Sequence, residues 1–277
     1  MAHPAISVIT INLNNGDGLA LTIKSVRNQT FTNYEHIIVD GASGDNSVAV
    51  IEEAATKGDY GKRLQWSSEK DNGLYNAMNK GIKRARGDYC LFLNSGDFLA
   101  SDDILQRFYD SHLAENRYTI VSGITKFDNG SFHVPVKERD AVTFWVGGMP
   151  HPSSFIKREA FDKFGLYDEG LRIVSDWKFF FQVIVQSDEP YKTVDEIVSV
   201  FDTSGISSTN EEICQKERLK TYEEIYSPRE MDFIIQSAEY KRELDALKNS
   251  RALKLGKFLV APLKLAKKLL KKILGKA

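Results

Sequence analysis

Asp97 closes an apolar run, Tyr89 to Leu93, through the small-residue turn Asn94-Ser95-Gly96. A buried strand that ends this way delivers one anionic oxygen to the carboxyl edge of a sheet, where open α/β folds bind their ligands. A hard divalent cation holding a diphosphate needs such an oxygen, with waters and phosphate oxygens completing its shell. A second carboxylate, Asp176, follows Ser175 at the head of the apolar stretch 177–184. It reads either as an N-cap or as a general base aimed into a cleft, and spacing alone does not choose. His151 lies in a loop rich in Gly and Pro, residues 147–152. A lone histidine is more often a structural group than one that serves a ligand.

The segments before Asp97 alternate between two periodicities. Ala5 to Asn12 is β-branched and apolar, and His36 to Asp40 is a second such run ending in a carboxylate. Leu64 to Ser68 reads as a third strand, and the Asp97 strand is the fourth. Between them, Leu19 to Asn28, a stretch from Asp45 or Ser47 to about Lys57, and Leu74 to Ala85 carry helical spacing. The β-α-β-α-β-α-β order is that of a doubly wound, mostly parallel sheet, with Asn12, Asp40 and Asp97 along one edge. Later segments are less regular: a helix opens near Asp102, Tyr118 to Gly123 reads as a strand, and Asn129-Gly130 reads as a hairpin turn.

The turn after the first strand, residues 12–18, is neither G-x-G-x-x-G nor a phosphate loop ending in G-K-[ST], and it lacks the Gly-rich basic loop of sugar nucleotidyltransferases. A nucleotide site here must therefore be built from side chains at strand ends. Cys90 and Cys214 are far apart, with no disulfide framework and no metal-type spacing, which fits a reducing compartment. Neither a leader peptide nor a spanning helix is expected.

With these segments in order, the chain resembles the family-two glycosyltransferases of the GT-A fold, in the bacterial exopolysaccharide and O-antigen branch that includes the colanic-acid transferases. The matching stretches are Ser7 to Asn12, Ser25 to Phe31, Ile38 to Asp45, Ser68 to Ile82, Phe92 to Asp97, Ser175 to Trp177 and Ser204 to Asn210. The resemblance implies a Rossmann-like α/β sheet flanked by helices over residues 1–210, with a nucleotide-binding half (1–100) and an acceptor half (101–210). A helical extension (211–250) follows.

The resemblance also implies roles. Thr10, Asn12 and Asp40 would contact base and ribose, with Asp40 on the pyrimidine edge. Asp71, Asn72 and Gly73 would flank the nucleoside, and Ser95 would belong to the nucleotide site. Asp97 would ligate Mn²⁺ or Mg²⁺ on the diphosphate of a nucleotide-sugar donor, a UDP-sugar. Asp176 would deprotonate an acceptor hydroxyl, on a lipid-linked sugar or polysaccharide repeat, for inverting attack. His151 would lie near the diphosphate or the acceptor. Many relatives carry Asp at the positions of both Asn94 and Gly96, so the metal site here has fewer carboxylates. A sugar nucleotidyltransferase and a non-catalytic membrane scaffold are the competing readings.

The net charge of −1 conceals an asymmetry. Nine of the 37 basic side chains and none of the 38 acidic ones lie in residues 251–277. Lys264, Lys267, Lys268, Lys271 and Lys272 fall opposite a face of Leu and Ile, the pattern of a basic amphipathic helix resting on an anionic membrane. That predicts a peripheral enzyme on the inner face of the cytoplasmic membrane. The alternatives are packing on the protein's own domain or on a second copy in a homodimer. No aromatic-interleaved basic patch points to nucleic acid.

Overall fold

A computed structural model describes residues 3–205 and 210–250. Its elements run β1 (Ile6–Asn12), α1 (Gly16–Arg27), β2 (Tyr34–Asp40), α2 (Ser47–Ala55), α3 (Gly58–Arg63), β3 (Leu64–Ser68), α4 (Leu74–Arg84), β4 (Tyr89–Phe92) and β5 (Phe98–Leu99). Next come α5 (Ile104–Phe108) with one π turn, β6 (Ile120–Phe127), β7 (Phe132–His133), α6 (Ala141–Val146), a 3₁₀ turn at His151–Ser153, β8 (Ser154–Lys157) and α7 (Arg158–Phe164). The last are α8 (Ser175–Ile184), β9 (Tyr191–Phe201), α9 (Glu211–Glu223) and α10 (Pro228–Asn249). Residues up to Ile225 form one compact unit; α10 belongs to a second that begins at Tyr226.

The strands make one sheet in the order β3-β2-β1-β4-β8-β6-β9-β5, with β7 paired to β6. The β3-β2-β1-β4 half is parallel throughout. Every residue of β1, β2 and β4 is buried, as expected of parallel strands covered on both faces. Beyond β4 the pairing turns mixed, because β8 runs antiparallel to both β4 and β6, and β9 returns parallel to β6. One core layer sets Leu19, Ile23 and Val26 of α1 and Ile51 of α2 in a cluster with Phe108 and Phe155. The last two rings stack at 4.6 Å.

Helix α1 starts three residues earlier than expected, at Gly16, and β2 two earlier, at Tyr34; two further boundaries differ for a local reason. The helix expected to reach Lys57 stops at Ala55, and Gly58, at φ +53°, begins a separate α3. The fourth strand stops at Phe92, and residues 94–97 form a turn closed by Asp97 N–H donating to Asn94 O at 3.0 Å. Gly96 holds that turn at φ +104°, a conformation costly for any residue with a Cβ. The expected hairpin joins β6 to β7, with Gly130 at φ +85°.

A buried histidine ties the first strands together. The Thr10 hydroxyl donates to Leu93 O at 2.7 Å, so it accepts from His36 Nε2–H at 2.9 Å, and His36 Nδ1 accepts from Tyr60 O–H at 2.7 Å. Burial pushes the His36 imidazole down to about 3. The unfolded chain, titrating near 6.5, then binds more protons than the fold between these values, so stability falls as pH drops through that window. The expected slope is about 1.4 kcal/mol per pH unit from this group. Urea unfolding at several pH values checks it: His36→Gln should be less stable at pH 7 yet lose less on acidification. Equal slopes for both proteins would overturn this account.

Candidate active site

A cleft of about 520 Å³ opens at the carboxyl edge of the parallel strands. Asn12 at the end of β1, Asp71 and Gly73 in the turn before α4, and Ser95 and Asp97 after β4 all line it. From the other half come His151 and Asp176. Helix α4 can reach this edge because Gly81 lets it lie against β1; a Cβ there would stand 2.5 Å from Ile9 Cγ2. Helix α1 pins the Asp97 turn through Thr22, whose hydroxyl accepts from Gly96 N–H at 3.0 Å and donates to Asp97 O at 2.6 Å.

Three of the expected nucleotide residues do not line the cleft. The Thr10 hydroxyl is used wholly within the sheet, as described above. Asp40 is fully buried; its carboxylate accepts from Asn12 Nδ2 at 2.7 Å, Ser43 N–H at 3.0 Å, and the hydroxyls of Ser43 at 2.5 Å and Ser68 at 2.6 Å. Burial favours the neutral acid, but these donors together outweigh it and hold the carboxyl below its usual range. Asp40 therefore braces Asn12, whose amide oxygen is buried without a partner at the cleft floor. Asn72 turns its backbone N–H to Asn76 Oδ1 at 3.2 Å. Beside it, Asp71 Oδ1 accepts from Gly73 N–H at 2.9 Å.

Asp97 is 3 % exposed, and burial pushes its carboxyl up to about 8. The N–H of Asp202, donating to Asp97 Oδ1 at 3.0 Å, works against that rise, while the negative charge of Asp202 adds to it. Asp202, just past the end of β9, also lines the cleft; a Cβ on Gly96 would meet its Oδ2 at 2.6 Å. Sequence reading missed Asp202. Its signal was present, since it follows an apolar run as Asp40 and Asp97 do. Two carboxylates side by side, one of them buried, repel one another unless a proton or a cation lies between them. That donor set of hard oxygens suits Mg²⁺ or Mn²⁺. Among the described residues no group of three or more His, Cys, Asp or Glu is placed to hold a metal ion. A cation here would take two protein ligands and complete its shell with water and phosphate oxygens.

Asp176 is not the cap of its helix. Val174 occupies that position, and the N–H groups of Arg172, Ile173 and Val174 donate to the Glu217 carboxylate at 2.6, 3.0 and 3.2 Å. Glu217 of α9 thus anchors the backbone that leads into the helix, and the Asp176 carboxylate, in the first turn, lines the cleft, about a quarter exposed. Tyr75 O–H donates to its Oδ1 at 2.7 Å, and His151 Nδ1 stands 3.6 Å from its Oδ2. The histidine is as much a packing group as a site group: its ring stacks on Phe92 at 4.7 Å, and Nε2 meets Tyr167 Oη at 2.9 Å. Burial holds the imidazole below its ordinary range, with the Asp176 charge opposing, so it is neutral near pH 7.

Residues 7–173 match the family model for glycosyl transferase family 2. The chain belongs to this family and is a glycosyltransferase. An uncharacterised glycosyltransferase of Mycobacterium tuberculosis is 33 % identical over 216 residues, covering 75 % of this chain and 79 % of that protein. A PGL/p-HBAD biosynthesis glycosyltransferase of Mycobacterium bovis is 30 % identical over 185 residues, covering 65 % and 69 %. Among solved structures, S. aureus TarS 1–349 in complex with UDP has TM-score 0.59 at 19 % identity, covering 71 % of this chain and 60 % of that one. A mannosyltransferase of Pyrobaculum calidifontis in complex with GDP-Man and Mn²⁺ has TM-score 0.61 at 15 % identity, covering 96 % and 81 %. These confirm the GT-A-like fold expected from the sequence.

Proposed function

We propose that this chain transfers a sugar from a UDP-linked donor to a hydroxyl of a lipid-linked saccharide or growing polysaccharide, with inversion at the anomeric carbon. The observation that carries the reading is one cleft with two kinds of carboxylate on it. Asp97 and Asp202 follow the ends of β4 and β9, and Asp176 stands in the first turn of α8. In the reaction Asp176 takes the proton of the acceptor hydroxyl as that oxygen bonds to the anomeric carbon. The bond from that carbon to the diphosphate oxygen breaks, and the nucleoside diphosphate leaves. Asp97 and Asp202 would hold Mn²⁺ or Mg²⁺, which when bound offsets the charge gathering on the diphosphate. Asn12, Asp71 and Gly73 are set to meet the nucleoside, with Asp40 acting through Asn12. Thr10 and Asn72 are left with supporting roles.

The TarS complex with UDP favours a uridine donor, and the mannosyltransferase complex with GDP-Man names the main competitor. Calorimetric titration of UDP, GDP and CMP, each with and without Mn²⁺, decides. UDP is expected to bind tightest, and more tightly with Mn²⁺. Preference for GDP would keep the transferase and move the donor class. Absence of nucleotide binding by folded protein would favour the scaffold reading, and pyrophosphate release from an NTP would favour a nucleotidyltransferase.

The membrane part of the proposal rests on sequence. No helix among the described residues is long and apolar enough to cross a membrane. Lys264, Lys267, Lys268, Lys271 and Lys272 lie outside the described residues. Peripheral attachment through this basic segment predicts that deleting residues 251–277 abolishes sedimentation with anionic vesicles. Unchanged sedimentation would overturn it.

A further inference from the structure

Helix α4 grips the segment that carries Asp176 at two levels. Lower on the helix, Asn79 Nδ2 donates to Tyr167 O at 2.9 Å and Asn79 Oδ1 accepts from Tyr167 N–H at 3.0 Å, a reciprocal pair across 88 residues. One turn nearer the cleft, the Tyr75 hydroxyl sits between Asp176 Oδ1 and Ile173 O. Both partners only accept, so the single hydroxyl proton is shared between a carboxylate and a carbonyl. The carboxylate bond is the charge-assisted one, and the stronger. Tyr75 is 2 % exposed, and burial raises its phenol far above the usual value, so it is a donor at every working pH.

The N-cap of the same helix is Gly73, in the turn that lines the nucleotide side of the cleft, only two residues before Tyr75. A residue of the nucleotide half is therefore bonded directly to a carboxylate of the acceptor half.

We propose that Tyr75 is a positioning residue for the transfer reaction, holding the Asp176 carboxylate at the angle and distance from which it takes the acceptor proton and tying it to the helix that opens the donor site. This rests on the role of Asp176 as base proposed above. Oδ1 is held by Tyr75, which leaves Oδ2, 3.6 Å from His151 Nδ1, as the oxygen to take the acceptor proton. A hydroxyl orients the base without competing for the acceptor proton, as a second carboxylate would, and without a positive charge, which would lower its basicity.

The test is Tyr75→Phe, which deletes one oxygen and keeps the ring in its place. Misplacing a base by about 1 Å lowers turnover roughly 10- to 100-fold. The expected result is a fall of that size in kcat, with donor KM and calorimetric UDP affinity within about twofold of wild type. In the Asp176→Asn background the added Tyr75→Phe change should alter the residual turnover by less than about twofold, because the hydroxyl acts through that carboxylate. Wild-type kcat in Tyr75→Phe, lost UDP affinity, or a further large drop in the double variant would each overturn the proposal. Wild-type turnover in Asp176→Asn alone would instead remove the base assignment, and the role of Tyr75 with it.

Discussion

Asp176→Asn is expected to lower kcat by about 10³-fold, within the 10²–10⁴ range of a lost general base, while leaving UDP affinity unchanged. The substitution is nearly isosteric. The Asn amide oxygen still accepts the Tyr75 O–H bond, and the N-cap of the helix is Val174 and not residue 176. Fold and donor site should therefore survive, and what is lost is the oxygen pair able to take a proton. Steady-state kinetics with varied acceptor would show the loss in kcat, with donor KM within about twofold. A kcat within tenfold of wild type would mean that another group removes the proton, and the inverting mechanism drawn on Asp176 would fail.

The second large effect is expected of Asp97→Asn, and it should appear before any turnover is measured. The Asp97 carboxyl is buried and shifted up to about 8, so without metal it is mostly protonated at neutral pH. Asn mimics that neutral form and still accepts the Asp202 N–H bond. The metal-free variant should accordingly unfold within a few degrees of wild type. Mn²⁺ at 100 times its Kd stabilises the native state by about 2.7 kcal/mol, and this gain should vanish in the variant. Enhancement of UDP affinity by Mn²⁺ should vanish with it, and kcat should fall at least about 100-fold, since several kcal/mol of charge neutralisation is lost. A variant that keeps the full Mn²⁺ shift in Tm would place the cation elsewhere. Asp202→Asn should reproduce the effect in weaker form if the two carboxylates share one ion.

The parallel half of the fold was legible because its signals are local. Strands buried on both faces read as continuous apolar runs, and Gly and Asn punctuate their ends. The mixed half was less so, for β8 is only four residues long and owes its place to β4 and β6, partners 30 and more residues away. Two of the boundaries that moved are followed by turns with glycines of positive φ, Gly58 and Gly96, where the chain turns without steric cost.

By itself the sequence determined the element order as far as Asp97 and the edge on which the site lies, from local apolar runs and the turns between them. The resemblance, matched motif by motif, added the carboxylates Asp97 and Asp176, both of which line the cleft. Tertiary structure alone decided which polar groups face the cleft and which serve the interior. Thr10 and Asn12 share a face of β1, yet Thr10 sits about 7 Å deeper along the strand and is used by His36 and Leu93, so only Asn12 lines the site. Asp40 ends its strand and Asp97 closes the turn after another, but four donors surround the Asp40 carboxylate, whereas Asp97 has a second acid beside it. The pairs that make the site, Asp97 with Asp202 and Tyr75 with Asp176, join residues more than 100 apart. A hydrogen bond or a like-charge contact depends on distance in space, and no periodicity along the chain encodes a distance between segments that meet only when the sheet closes.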